Sequence, residues 1–150
     1  MDAFDRAILN ELQTDSRIST EELGNLVGLS ASACQRRIKK LRELGIINRE
    51  VTLLDSERLE GYVTIIVDLI LEKGGEIILD NVFEQLNREK RVQQVYYTAG
   101  DVDLVVIMVV KNMSEYDDLT RRLFMANSNV KKFQAKVAIK PKKLGLALPL

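Results

Sequence analysis

The sequence contains no histidine. Histidine is the side chain that most often serves as a general base near neutral pH, and it is the commonest ligand of transition metals. With a single cysteine, Cys34, the chain also lacks the residues of a zinc site or of a cysteine–histidine nucleophile. These absences argue against an enzyme and leave only carboxylates available for catalysis.

Disulfides and long apolar runs are absent as well. Cys34 has no second cysteine to pair with inside the chain, which predicts a protein of a reducing cytoplasm. No apolar run reaches the about 18 residues that a membrane span requires. Met1 and Asp2 do not begin the basic and then apolar pattern of a signal peptide. We therefore expect a cytoplasmic protein of one or two small domains, without a membrane partner.

Net charge is also lacking, because 22 Lys and Arg residues balance 22 Asp and Glu residues. Residues 1–50 carry eight charges of each sign, yet residues 30–44 hold five cations and one acid, a local excess of +4. A solvated helix usually interleaves acids with bases. This concentration of positive charge indicates an anionic partner.

Three helices are predicted within residues 1–47. Asp2 is a suitable N-cap for the first, Ser19 and Glu22 have the spacing of a capping box for the second, and Ser30 caps the third. Gly28 ends the second helix in a tight turn. A helix, a glycine-containing turn and another helix predict a helix-turn-helix domain. Its third helix has an inward face formed by Cys34, Ile38 and Leu41.

The outward face of the third helix is predicted to bind DNA. Helical spacing places Ser32, Gln35, Arg36 and Lys39 there, with Arg37 and Lys40 beside them. We expect Arg36 and Gln35 to read base edges in the major groove. Phosphates are expected to be held by Ser30, Ser32, Arg37 and Lys39. The alternative is a plain three-helix bundle whose basic face is merely solvated.

Residues 62–150 are predicted to form a second domain, after a linker of residues 48–61 that includes a short strand at 51–54. Apolar alternation and two amphipathic segments give the order βαββαβ, with Ser114 as the cap of the second helix and a last strand at 133–139. This order fits a ferredoxin-like α+β sandwich. The strand at 102–110 is apolar on both faces, and two helices cover only one face of a sheet. We therefore expect a homodimer that packs sheet against sheet.

Taken together, the two domains resemble the Lrp/AsnC family of transcription regulators, also called feast/famine regulators. The resemblance is carried by FDRAILNELQTDSRISTEELGNLVGLSASACQRRIKKLRELGII and by YYTAGDVDLVVIMV. Departures are small: Asn48-Arg49 stands where many members have Gly-Tyr, and Gly24 where many have Ala. The resemblance implies a winged or simple helix-turn-helix domain, a βαββαβ effector domain, and dimers that assemble into octamers or other oligomers.

An amino acid or related metabolite is the ligand that this resemblance implies, with no other cofactor. The family's pocket is built around a Gly-Asp-x-Asp turn, which here contains Gly100, Asp101 and Asp103. A carboxylate there suits an ammonium group, and backbone N–H groups suit a carboxylate. Tyr97, Thr98 and Gln134 are expected nearby. The alternative is that Gly100 and Asp101 form only a hairpin turn.

The function predicted on these grounds is a sequence-specific transcriptional regulator whose assembly or DNA affinity responds to an amino acid. An architectural DNA-binding protein that organises the nucleoid without an effector is the alternative, although a neutral chain has no global attraction to DNA. An enzyme that uses Asp101 and Asp103 as paired carboxylates has no further support in the sequence.

Overall fold

The computed structural model describes residues 1–55, 58–59, 61–73 and 75–150. The chain forms two compact units. The first contains Met1–Leu53 together with Lys143–Leu150, and the second contains Leu54–Lys142. The last eight residues therefore pack with the first unit, whereas the sequence had grouped them with the second domain. Within the predicted linker, Ser56, Glu57 and Glu60 lie outside the described residues.

Three helices build the first unit: α1 at Ala3–Thr14, α2 at Thr20–Val27 and α3 at Ala31–Glu43. Asp2 and Asp5 form a complete capping box at the start of α1. Ser19 accepts a hydrogen bond from the backbone N–H of Glu22 at 3.1 Å, as expected. Among the described residues, the Ser19 N–H does not donate to the Glu22 carboxylate, so that capping box is only half formed.

The turn between α2 and α3 depends on two glycines. Gly28 has φ +73°, a conformation that side chains with a Cβ atom disfavour. At Gly24, an added Cβ would lie 2.5 Å from the carbonyl oxygen of Leu29, whose N–H donates to the Gly24 carbonyl at 2.9 Å. The two helices therefore approach closely at Gly24, and this leaves no room for a side chain without a backbone shift.

The described residues of the first unit contain three helices and no strand of this chain. The segment at 51–54, where a strand is predicted, pairs with no other strand among the described residues of this chain. Val51, Leu53 and Leu54 are 62–83% exposed. They form no ladder within the chain, whereas a strand needs a neighbouring strand to satisfy its backbone groups.

Apolar burial holds the three helices together, and it confirms the predicted inward face of α3. Cys34, Ile38 and Leu41 are at most 8% exposed, and they pack with buried side chains of α1 and α2. Those partners are Ile8, Leu9 and Leu23. Ile47 packs against the same cluster, whereas Ile46 remains 45% exposed.

The second unit has the predicted βαββαβ order. Its elements are β1 at Val63–Leu71, α4 at Glu76–Arg88, β2 at Val92–Tyr97, β3 at Leu104–Val110, α5 at Met113–Thr120 and β4 at Val130–Val137. The strands form one sheet in the order β2-β3-β1-β4, and each neighbouring pair is antiparallel. This is the topology of a ferredoxin-like sandwich.

Details at three element ends differ from the prediction. The cap of α5 is Asn112, whose side chain accepts from the N–H of Glu115 at 2.9 Å, and not Ser114. After Thr120 the helix continues as a π-helical turn, Arg121–Met125, which places Leu123 and Phe124 in the core. The last strand begins at Val130 and ends at Val137, so Ile139 is fully exposed.

One face of the sheet carries the core of the second unit. Ile65, Val67 and Leu69 of β1 are completely buried there, together with residues of β3, α4 and α5. The opposite face, here called the outer face, carries the alternate residues of the two central strands. Its apolar members are half-buried: Ile66, Ile70, Val105, Ile107 and Val109.

Candidate functional site

The exposed side chains of α3 form one continuous surface. Helical spacing aligns Gln35, Arg36, Lys39 and Lys40, all exposed, and we call these four residues the basic stripe. The buried residues Cys34, Ile38 and Leu41 occupy the opposite side of the helix. The structure therefore brings together most of the residues that were predicted to bind DNA.

The basic stripe keeps its positive charge. Within the part of the chain that the structure describes, Arg36 and Lys40 form no ion pair. Lys39 lies 3.8 Å from Glu43, and both side chains are largely exposed, so water and salt screen this pair. Arg42 differs because its guanidinium is paired with Glu50.

Two hydroxyl groups mark the start of α3. The Oγ of Ser30 accepts from the backbone N–H of Ala33 at 3.2 Å and lies 3.2 Å from the Oγ of Ser32. Both serines are exposed. A capped helix N-terminus with small, exposed hydroxyls can approach a phosphate closely, because the helix dipole and the free N–H groups favour an anion.

Arg37 is placed differently from the other predicted DNA-binding residues. Its Nη1 donates to Asp2 Oδ2 at 2.8 Å and to Asp5 Oδ1 at 2.7 Å, so it joins α3 to the start of α1. Its Cζ also lies 5.5 Å from the centre of the Phe4 ring, a cation–π contact. Its side chain is 30% exposed. The guanidinium is therefore engaged inside the first unit.

This network lowers the pKa of both carboxyl groups. The pKa of Asp2 is lowered by the N–H of Asp5 and then by Arg37. The pKa of Asp5 is lowered by the N–H of Asp2 and then by Arg37. In return, Asp5 and Asp2 raise the pKa of Arg37. All three groups stay charged at neutral pH.

In the second unit, the predicted effector residues lie around the loop that joins β2 to β3. Thr98 closes this loop, because its N–H donates to the Asp103 carbonyl at 2.9 Å and its hydroxyl donates to the Val102 carbonyl at 2.6 Å. The carboxylate of Asp103 accepts from the Leu71 N–H at 2.8 Å, so it holds the end of β1. Asp101 is exposed and has no such partner among the described residues.

Beside this loop, the outer face has a shallow recess of about 50 Å³. It is lined by Val102 from the loop, by Asp68 and Ile70 of β1, and by Lys132, Phe133 and Gln134 of β4. Gln134 therefore lies next to the loop as expected, whereas Tyr97 is 67% exposed at the end of β2 and does not line the recess. The recess is smaller than two water volumes, so by itself it does not enclose an amino acid.

Neither a metal site nor a membrane span is found in the described residues. No group of three or more Cys, Asp or Glu residues there is arranged to hold a metal ion. None of the helices described is long and apolar enough to cross a bilayer.

Comparison with known protein families decides the identity of both units. Residues 1–42 match the AsnC-type helix-turn-helix domain, and residues 64–148 match the Lrp/AsnC ligand binding domain. The chain belongs to the Lrp/AsnC family of transcriptional regulators. It is therefore a DNA-binding regulator with a ligand-binding domain, as predicted, and its family consists of regulators and not of enzymes.

Individual relatives in the Lrp/AsnC family agree with this assignment. The chain is 37% identical to an uncharacterised HTH-type transcriptional regulator, y4tD, of Sinorhizobium fredii, over 100% of this chain and 89% of the relative. It is 36% identical to the leucine-responsive regulatory protein of Escherichia coli, over 79% of this chain and 73% of the relative.

Solved structures of Lrp/AsnC regulators share the fold over nearly the whole chain. An AsnC family transcriptional regulator from Agrobacterium tumefaciens is 33% identical, with a TM-score of 0.91 over 99% of this chain and 97% of that one. A complex of the regulator NMB0573 with L-Met, from Neisseria meningitidis, has a TM-score of 0.92 at 23% identity, over 99% and 96% of the two chains. This second likeness concerns the fold.

Several residues near these sites were not predicted. Asp2 was expected only to cap α1, and the i, i+3 spacing of Asp2 and Asp5 gave no sign of their bond to Arg37. Asp68 and Lys132 contribute to the recess because β1 lies beside β4, a strand pairing between distant parts of the chain. Neither arrangement follows from the local pattern of the sequence.

The lowered pKa values predict how stability changes with pH. A carboxyl group whose pKa is lowered by folding stabilises the protein at pH values above its ordinary pKa of 3.8. This contribution is lost as the pH falls through the lower pKa of the folded state. Asp5→Asn removes one of these groups. We expect Asp5→Asn to have a lower urea midpoint than the wild-type chain at pH 7, and this difference to narrow progressively as the pH falls below about 4.

Far-UV circular dichroism of the full chain measures these midpoints. Glu43→Gln is the control, because Glu43 is an exposed carboxylate on α3 with only a distant cation. A gap between Asp5→Asn and the wild type that stayed constant down to pH 3 would show that the Asp5 charge does not contribute.

Proposed function

We propose that the basic stripe of α3 enters the major groove and selects the operator sequence. Arg36 and Gln35 read base edges, because an arginine is the commonest reader of guanine and a glutamine suits adenine. Ser30, Ser32, Lys39 and Lys40 hold phosphates. These side chains are exposed on the face of α3 opposite its buried residues, and this exposure supports the proposal. A DNA-binding regulator acts where the DNA is, so we also propose a cytoplasmic location.

Selection of sites from random duplexes, followed by titration of the selected duplex, tests this proposal. We expect Arg36→Ala to cost about 1–3 kcal/mol on the selected site and to relax one base position. Lys39→Ala is expected to weaken all sequences alike and to reduce the salt slope by about one unit, because one phosphate contact is lost.

Arg88→Ala is the matched control, since Arg88 is an exposed arginine on α4 in the other unit. Unchanged affinity and unchanged sequence preference in Arg36→Ala would contradict the orientation proposed for α3. Equal affinity of the wild-type chain for random and selected duplexes would favour the architectural, nucleoid-organising function.

We propose further that a second copy of this chain covers the outer face of the sheet. Five apolar side chains of the central strands lie on this face. Polar residues flank them, with Gln134 and Lys136 of β4 on one side and Gln94 and Tyr96 of β2 on the other. Asp68 lies among them on β1, where its charge is paired with Lys136. An apolar centre with a polar rim is the usual anatomy of a homodimer interface. Dimers of this kind then assemble into larger oligomers such as an octamer.

Ile107 lies in the middle of the outer face, paired with Ile66 of β1. An aspartate there would bury an unpaired charge in the interface, so we expect Ile107→Asp to weaken the dimer by about 2 kcal/mol or more. Light scattering during size-exclusion chromatography measures the mass. Ile77→Asp is the control, because Ile77 is 75% exposed on α4. A wild-type mass equal to that of Ile107→Asp would rule out this interface.

The effector that we propose is an amino acid, bound at the β2–β3 loop and the adjoining recess. Asp101 has an exposed carboxylate for an ammonium group, and Lys132 and Gln134 are suited to a carboxylate. The proposal is supported by the match to a ligand binding domain and by relatives named for leucine response or solved with L-Met. Because the recess is small, the second copy must supply the rest of the pocket.

A thermal-shift screen of the full chain against the twenty amino acids tests this site. An amino acid present at about one hundred times its Kd adds about 2.7 kcal/mol of stability, which gives a clear shift. We expect Asp101→Asn to abolish the shift and Asp118→Asn, an exposed aspartate on α5, to preserve it. The absence of a shift with every amino acid, or an undiminished shift in Asp101→Asn, would refute the proposed site.

A further inference from the structure

The contacts of Arg37 form a closed network. Asp2 Oδ1 accepts from the Asp5 N–H at 2.9 Å, and Asp5 Oδ2 accepts from the Asp2 N–H at 3.1 Å. The remaining oxygen of each carboxylate accepts from Arg37 Nη1. All four carboxylate oxygens therefore have a partner, and both N–H groups of Nη1 are used.

The helix cap prepares this site for Arg37. Each carboxylate is oriented by a backbone N–H of the other residue, so the two oxygens that face Arg37 are held in place by α1 itself. An arginine presents its donors in a rigid plane, and it loses little further freedom when the acceptors are already aligned. The ring of Phe4 lies 5.5 Å from the Arg37 Cζ and restricts the guanidinium further.

Electrostatics at Arg37 are unfavourable to a phosphate. The side chains of Asp2, Asp5 and Arg37 together carry a charge of −1, and the two carboxylates lie within 2.8 Å of the Arg37 Nη1. A phosphate that approached this nitrogen would meet both negative charges, and like charges at such distances repel. In the basic stripe, Arg36 and Lys40 form no ion pair among the described residues, and Lys39 has only Glu43, at 3.8 Å.

The network is adjacent to the residues that we expect to read DNA. A groove of about 560 Å³ is lined by Asp2, Asp5 and Arg37 together with Arg36 and Lys40 of the basic stripe. Arg36 directly precedes Arg37 in α3, and Lys40 follows it by three residues, on the neighbouring turn. A change in how α3 lies against α1 would therefore move these two side chains.

We propose that Arg37 is a positioning residue, which locks α3 against the start of α1 through Asp2 and Asp5 and does not bind a phosphate. This inference rests on the proposed function, because it concerns the same DNA-binding surface. It assigns Asp2 and Asp5, two acids in a DNA-binding domain, a role in operator recognition.

Arg37→Lys separates the two roles without removing charge. Lysine is a good phosphate ligand, so a phosphate-binding residue tolerates this change. Both bonds to Asp2 and Asp5 come from Nη1, and a lysine side chain ends one bond short of that position and has no planar group to lie over Phe4. For a positioning residue we expect Arg37→Lys to lose about tenfold in affinity for the selected duplex, with an unchanged salt slope, because no phosphate contact is lost.

Asp5→Asn gives a second, independent readout. Removing a negative charge near DNA strengthens binding or leaves it unchanged if Arg37 holds a phosphate. If Arg37 positions α3, Asp5→Asn weakens binding as Arg37→Lys does, and the double variant is little worse than either single one. Glu43→Gln, which removes an acid near the basic stripe, is the control and is expected not to weaken binding. Circular dichroism confirms that each variant is folded at the assay temperature.

The outcomes also separate this inference from the proposed function. A wild-type chain that does not select a DNA sequence overturns the proposed function. A wild-type chain that does so, with Arg37→Lys or Asp5→Asn binding equally well at the same salt slope, overturns the positioning role alone. A salt slope reduced by about one unit in Arg37→Ala, with Asp5→Asn binding more tightly, assigns Arg37 to a phosphate.

Discussion

Burial of Cys34, Ile38 and Leu41 fixes the rotation of α3 about its own axis, and every statement about the DNA-binding surface depends on it. Burying an aliphatic side chain stabilises a protein by about 1.5–3 kcal/mol, whereas an exposed ion pair contributes about 0.2–1 kcal/mol. The apolar residues therefore decide which way the helix faces, and the cations take the remaining directions. A chain with no net charge obtains a positive surface in this way.

The acids of the first unit then determine how much of that charge remains available. Arg37 and Arg42 are closely paired with acids outside α3, which leaves Arg36, Lys39 and Lys40 as the cations of the helix without a close ion pair among the described residues. Three cations give a modest electrostatic attraction, since each phosphate contact contributes separately to affinity and to its salt dependence. Such a surface suits recognition by base contacts at a defined orientation better than uniform coating of DNA.

Local patterns predicted most of the fold. The helices of the first unit, the inward face of α3 and the βαββαβ order follow from apolar spacing and helix caps, which are properties of neighbouring residues. The failures involve distant partners. Arg37 looked like the other cations because Asp2 and Asp5 lie more than thirty positions away. The segment at 51–54 has the composition of a strand but pairs with no other strand among the described residues of this chain. The leucine-rich end of the chain packs in the first unit. The Gln13 carboxamide there donates to the Leu148 carbonyl and accepts from the Leu148 N–H, and no local pattern of the sequence predicts this contact.

The outer face of the second unit combines two incomplete features. Its centre is apolar and uncovered by α4 and α5, and its recess has charged and amide groups but too little volume for an amino acid. Asp68 and Ile70 belong to both features, because they line the recess and lie on the same face as Ile66 and Ile107.

A second copy packed on this face would cover the apolar centre and add a wall to the recess at once. A ligand enclosed there would then bind the assembled form better than the separate chains, and any ligand with that preference shifts the population toward assembly. Assembly sets how many α3 helices one particle presents to DNA, so the ligand would control DNA binding without contacting the basic stripe.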